Sequence, residues 1–185
     1  MSDLTTVANV VGYLGLSDTA ATAANSLLAR LVSAASAFIE QNLNRTFEVT
    51  EYVETRNGHD ERFITFGDYP VASVQSVVIS GVTVPPAPDM TSNGYLFDST
   101  RLSLSGYRFY RGYLNVELQY TAGFVTIPLE IEQACIELVS AKYKGRDRIG
   151  VSAKTINGET ISFTRSDLTE DLKSVLRAYQ KVVPC

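Results

Sequence analysis

Between Leu114 and Gly145 the spacing of the apolar residues changes from two to about 3.6, and no other stretch constrains the fold as strongly. Leu114, Val116, Leu118 and Tyr120 alternate with Asn115, Glu117 and Gln119, the pattern of an antiparallel strand with one face buried. After Tyr120-Thr121-Ala122-Gly123-Phe124 comes Pro128, suited to the first position of a helix, where its missing N–H costs nothing. Ile131, Ala134, Cys135 and Leu138 then form a helical stripe. Glu130 and Glu132 complement the positive end of that helix, Lys142, Lys144 and Arg146 its negative end, and Gly145 offers a left-handed cap.

The same reasoning organises the flanks. Val7, Val10, Val11 and Leu14 recur at i, i+3, i+4 and i+7, with Thr5 or Thr6 as cap and Gly15 as stop. Ser17-Asp18-Thr19 can cap a longer helix through Leu43, with a stripe of Leu27, Leu28, Leu31, Ala35, Phe38 and Ile39, ended by Asn42 and Asn44. About 25 residues make a rod of roughly 38 Å. From Thr46 the period falls to two, and Asn57-Gly58 predicts a tight hairpin turn before Arg62-Phe63-Ile64-Thr65-Phe66. Further strands are expected at Val74 to Ile79, Tyr95 to Phe97 and Arg101 to Leu104. Beyond Gly150, Thr155 to Ile161 reads as a hairpin turning at Asn157-Gly158, and a last helix begins at Ser166 with Leu168, Leu172, Val175, Leu176 and Tyr179 on one face.

The expected class is therefore α+β: a helical bundle from the N- and C-terminal helices, an inserted antiparallel β-rich region, and a C-terminal hairpin plus helix. As one composite domain it divides into N-terminal helices (1–45), the β insertion (46–122), a core helix (123–150) and a C-terminal arm (151–185).

Composition narrows the function. The 185 residues are 45% hydrophobic and 19% charged, with a formal net charge of −4, which fits a globular domain and lacks the basic excess of a nucleic-acid wrapper. No continuous apolar run approaches the roughly 18 residues that span a bilayer, and Met1-Ser2-Asp3 opens without a signal core, so no membrane role and a cytoplasmic site of synthesis are expected. Cys135 falls on a helix stripe and Cys185 is terminal, so both are read as thiols. Charge is uneven: Glu48 to Asp68 holds six acids against two arginines, whereas Lys142 to Arg148 holds four bases against one acid. Repeated around an oligomer, such patches can meet across an interface.

Catalytic equipment is sparse. His59 is the single histidine, so any Ser-His-Asp or histidine–metal site must use it, yet Asn57-Gly58-His59-Asp60 reads as a solvated turn without a supporting shell. There is no phosphate-binding Gly-Lys-Ser/Thr loop, dinucleotide glycine pattern or Cys-x-x-Cys pair, and no cofactor or metal is expected. Glu130 and Glu132, two apart on a helix, point to different faces and suit its dipole better than a shared site. No catalytic residue is assigned. Arg101, Tyr107, Arg108, Phe109, Tyr110 and Arg111 interleave cations with aromatics, with Tyr113 following, a mix that anchors protein interfaces or stacks on bases. In an acidic chain the protein contact is the better of these two, and an ordinary packed strand connection ranks above either alone.

Taken in order, Leu4-Thr5-Thr6-Val7 through Tyr13-Leu14-Gly15-Leu16, the helix Leu27 to Glu40, Tyr69-Pro70-Val71 leading to Val74 and Ser80-Gly81, Tyr120 to Phe124, Pro128, Glu132-Gln133-Ala134 and Arg146-Asp147-Arg148-Ile149-Gly150 give a chain that resembles the head-tail connector, or adaptor, proteins of tailed bacteriophages. The likeness lies in order and spacing and spans most of the chain. It implies a structural virion protein of the neck, not an enzyme, that forms a ring, commonly of about twelve copies, below the portal protein. Such a ring extends the channel through which genomic DNA passes without sequence-specific binding, and docks a downstream stopper or tail protein. The resemblance also implies a portal or subunit interface at Lys142, Lys144, Arg146, Arg148 and Ile149. Rival readings are a stopper or tail-completion factor, and a monomeric protein- or nucleic-acid-binding module.

Overall fold

The computed structural model describes residues 3–89, 91–146, 153–156, 159–162 and 170–181. The chain forms two compact units, one of residues 1–45 and 127–180, the other of 46–126 and 181–185.

The first unit is helical. Helix α1 (Val7–Leu14) starts at Thr6, whose hydroxyl accepts the Asn9 N–H at 3.2 Å, and stops at Gly15 with φ of 64°. Helix α2 (Asp18–Leu43) ends at Asn44, also left-handed. Its buried stripe is Ala24, Leu28, Val32, Ala35, Ile39 and Leu43, which packs on α3 (Leu129–Gly145). The expected stripe was rotated: Leu27 and Leu31 are half-buried and Phe38 is 37% exposed. Small residues decide this, because Ala24 and Ala35 let the helices approach where bulkier side chains would hold them apart. By length and composition α2 is also apolar enough to cross a membrane. No uninterrupted apolar run signals this, because the alanines, Leu27, Leu28, Leu31 and Val32 that supply the hydropathy are interspersed with polar residues.

Helix α3 begins after Pro128 and buries Ile131, Ala134, Cys135 and Leu138 as expected, together with Ile136, Val139 and Ser140. Gly145 is not a left-handed cap: it remains in the helix, and Arg146 follows in right-handed helical conformation. Strands β8 (Ala153–Ile156) and β9 (Glu159–Ser162) form the expected hairpin, and α4 (Glu170–Ala178) carries buried Leu172 and Leu176. The expected start at Ser166, with Leu168, lies outside the described residues, as does Cys185.

The second unit is a two-sheet β structure. Strands β1 (Thr50–Gly58), β7 (Gly112–Ala122), β3 (Val71–Ile79) and β4 (Val82–Thr83) make one sheet in the order β1-β7-β3-β4. Strands β2 (Phe63–Thr65), β6 (Arg101–Ser105) and β5 (Gly94–Phe97) make the other in the order β2-β6-β5. All pairings within both sheets are antiparallel. Their inner faces share one core, in which Val77, Ile79, Val116, Leu118 and Tyr120 of the first sheet meet Leu102, Leu104, Tyr95, Phe66 and Phe109.

Here the expected hairpin at Asn57-Gly58 fails. Strand β1 pairs with β7, not with β2, and β2 pairs with β6. Gly58 belongs to the strand, where a Cβ would sit 1.9 Å from the Tyr110 carbonyl oxygen. Close backbone approach, not a turn, requires glycine there. Strand β7 is the central strand, and Val116, Leu118 and Tyr120 face the core as its alternation predicts.

Candidate functional site

The aromatic and basic segment begins at a turn fixed by Asp98, whose Oδ1 accepts the N–H groups of Thr100 at 2.7 Å and Arg101 at 2.8 Å. These bonds hold its carboxyl below the usual carboxylate range. They also orient Arg101, whose guanidinium carbon lies 4.9 Å from the centroid of the Phe63 ring. Tyr107 is half-buried against the core, and Arg108 Nη1 lies 3.6 Å from Asp60 Oδ2. Arg111 and Tyr110 are exposed.

Phe109 corrects the expectation. It is only 1% exposed, part of the β core, with its N–H donating to Glu61 O and its carbonyl accepting from Asp60 N–H. Alternation along Tyr107 to Tyr110 had no single period, so the sequence did not distinguish the one side chain turned inward. The segment thus divides into a buried anchor, Phe109, and an exposed set of Arg101, Arg108, Tyr110 and Arg111.

The residues that position this set were missed. Asn115 Oδ1 accepts the Gly58 N–H at 2.8 Å, while its Nδ2 donates to Tyr110 O at 2.9 Å and approaches Ser80 Oγ at 3.3 Å. Asn57 Oδ1 accepts the Leu114 N–H at 2.7 Å. Both asparagines sat in patterns that read as a turn and as the outward face of a strand, so only the tertiary contacts reveal the clamp. An open groove of about 420 Å³ lies alongside, lined by Arg56, His59, Glu61, Phe63, Ile64 and Leu114 among others.

Deeper in this unit, Tyr120 donates a hydrogen bond to Glu54 Oε1 and accepts one from the Asp68 N–H at 3.1 Å. Glu54 Oε2 lies 2.6 Å from Arg56 Nη2, and Arg56 Nη1 donates to Thr65 O at 2.6 Å. Burial, then the bond to Glu54, pushes the Tyr120 phenol well above its ordinary value. This network ties β1 to β7 and to the segment after β2, so it reads as structural.

At the basic end of α3, Lys142 Nζ lies 5.7 Å from the Phe38 ring centroid and Lys144 is exposed. Arg146 stacks 4.0 Å over Tyr143 and donates to its carbonyl at 2.7 Å. Lys142, Lys144 and Arg146 therefore gather at one helix end, whereas Arg148 and Ile149 lie outside the described residues.

The carboxylates of α3 have separate structural partners. Glu132 Oε1 accepts from Asn9 Nδ2 at 2.6 Å and from Thr5 Oγ1 at 3.3 Å. Glu130 Oε2 accepts the Tyr179 hydroxyl at 3.0 Å, which pushes that phenol up. His59 is exposed beside the groove. Among the described residues no group of three His, Cys, Asp or Glu side chains is placed to hold a metal ion.

A family model described as head completion protein matches residues 3–182. No curated protein sequence gives a match. Among solved structures, a chain in the neck of an empty gene transfer agent (GTA) particle, computed with C6 symmetry, is 17% identical, with a TM-score of 0.57 over 97% of this chain and 90% of that one. A chain in the virion of a native GTA particle is 19% identical, with a TM-score of 0.58 over the same shares. A chain in the neck of a native GTA particle, computed with C12 symmetry, is 16% identical, with a TM-score of 0.51 over 86% of this chain and 84% of that one. At these identities the likeness is one of fold.

Proposed function

Because the chain belongs to the head completion protein family, we propose that it is a structural protein of the neck of a phage-like particle, a head-tail connector that forms a ring below the portal. The observation that carries the reading is the family match over residues 3–182, which takes in both the helical and the β unit. The similar folds come from virion and neck structures, two of them computed with sixfold and twelvefold symmetry, which supports a ring of this chain.

Within that reading the helical unit supplies the wall. Helix α2, 26 residues long, offers an extended side for a neighbouring copy, and the cations Lys142, Lys144 and Arg146 at the end of α3 give the portal or a neighbouring subunit a charged contact. The net charge of −4 lets DNA pass a lumen without adhering to it, since counterion release would otherwise bind the duplex to a basic wall. The protein is not an enzyme in this reading, which its structural use of Glu130 and Glu132 supports.

Co-expression with the portal gene of the same element, followed by native mass measurement and electron microscopy, tests the proposal. A ring stacked on the portal is the expected result. A monomer without affinity for portal or particle overturns it, and a ring seated one layer further from the portal reassigns the chain as a stopper.

A further inference from the structure

Among the described residues, four non-glycine residues adopt positive φ, and three of them lie at one end of the four-stranded sheet: Asp60 at 63°, Ser80 at 51° and Leu114 at 47°. A side chain in this conformation is strained, and it persists only where surrounding contacts over-determine it. At Leu114 and Ser80 those contacts come from two asparagines, whereas the Asp60 N–H donates to Phe109 O at 2.7 Å. Asn57 fixes the Leu114 N–H, Asn115 ties Gly58 to Tyr110 and Ser80, and the Ser80 N–H returns to Asn115 O at 2.7 Å. Three loops are thereby locked together, although none of their strained residues fills the core.

What the lock presents is apolar. Val82 is 61% exposed, Tyr110 57%, Tyr113 82% and Leu114 51%. The alternation of β7 would turn Leu114 inward with Val116; the positive φ accompanies its exposure. Arg108 is paired with Asp60, whereas Arg111 has no carboxylate within ion-pair distance among the described residues. Exposed aromatics on a locked backbone beside an uncompensated arginine are the composition of an interface hot spot.

Building on the neck reading, we infer that this end of the β unit docks into an apolar recess, rimmed by carboxylates, on a different protein of the neck. Charge complementarity to Arg111 requires the carboxylates, and Tyr110, Tyr113, Leu114 and Val82 require the apolar floor. A second copy fits poorly. Leu114 belongs both to this patch and to the groove beside His59 and Glu61, so seating one copy's patch in another's groove uses one overlapping surface on both copies, an isologous contact that does not close a larger cyclic ring. The recess lined by Leu43, Lys173, Leu176 and Arg177 carries cations that repel Arg111.

Particles assembled with p-benzoylphenylalanine in place of Tyr113, irradiated and digested, give the direct test. The expected adduct joins position 113 to another structural protein, at a segment where Asp or Glu flanks apolar residues. Adducts only with a second copy, only with DNA, or none in particles that contain the protein overturn the inference. Tyr113→Ser and Arg111→Glu change exposed side chains, so heads should carry the ring at wild-type level while joined particles fall at least about tenfold. Undiminished joining in both variants also overturns it. A protein absent from the particle altogether would instead sink the connector reading on which this rests.

Discussion

Gly58 is the residue whose replacement should be felt most sharply in the β unit. A methyl group there meets the Tyr110 carbonyl oxygen at 1.9 Å and that of Phe109 at 2.9 Å, both backbone atoms that cannot rotate aside. Gly58→Ala is expected to destabilise by about 2 kcal/mol, read as a lower denaturant midpoint at unchanged slope. Cys135 carries a pH prediction. Burial pushes its thiol from 9.0 up to about 11, against the smaller opposing effect of the bond to Ser36. The folded chain thus keeps its proton where the unfolded chain has lost it, so stability falls as pH climbs from about 9 to about 11. Cys135→Ala should flatten that slope in alkaline thermal melts, and the native thiol should resist alkylation at pH 8 until the protein unfolds. The sequence showed Cys135 on a buried stripe, but it could not show Ser36 Oγ 3.7 Å away, because that contact joins residues 99 apart.

Among elements, α1 depends most on a single side chain. Glu132 of α3 accepts from both Asn9 and Thr5, so Glu132→Ala should loosen α1 by about 1 kcal/mol, less than a buried charged bond because the site is partly open. Hydrogen exchange should report this as faster exchange in α1 with α3 protection retained; unchanged α1 protection would show that apolar packing alone holds it. The helices were legible because capping and 3.6 periodicity are local: Thr6, Gly15, Asn44 and Pro128 all mark ends where the structure has them. Strand partners were not. β1 pairs with β7, with Thr50 opposite Ala122, and a period of two specifies a face without specifying a neighbour.

For the whole molecule, the prediction that separates a structural role from a catalytic one uses the sole histidine and the acid of α3. Particles carrying His59→Ala and Glu132→Gln should assemble, hold DNA and deliver it at wild-type level; abolished delivery with intact assembly would revive an enzymatic reading. The α+β class and the family resemblance were both legible in the sequence. From the same residues came the expectation that the region from Arg101 to Arg111 meets a partner. The interface that geometry favours is nevertheless shifted from it, since Phe109 is core and Val82, Tyr113 and Leu114 join the exposed set.

The sequence by itself determined where α1 and α2 start and stop and where α3 starts, which face of the central strand is buried, and that the chain lacks the usual motifs of catalysis. These follow from periodicity, capping chemistry and residue inventory, each readable within a few positions. Only the tertiary structure decided that Gly58 is a point of backbone contact, that Asn57 and Asn115 lock three loops, and that Leu114 is turned outward. Those facts depend on pairings between residues about 57 positions apart, and such pairings are settled by the shared core of two sheets, not by any local preference.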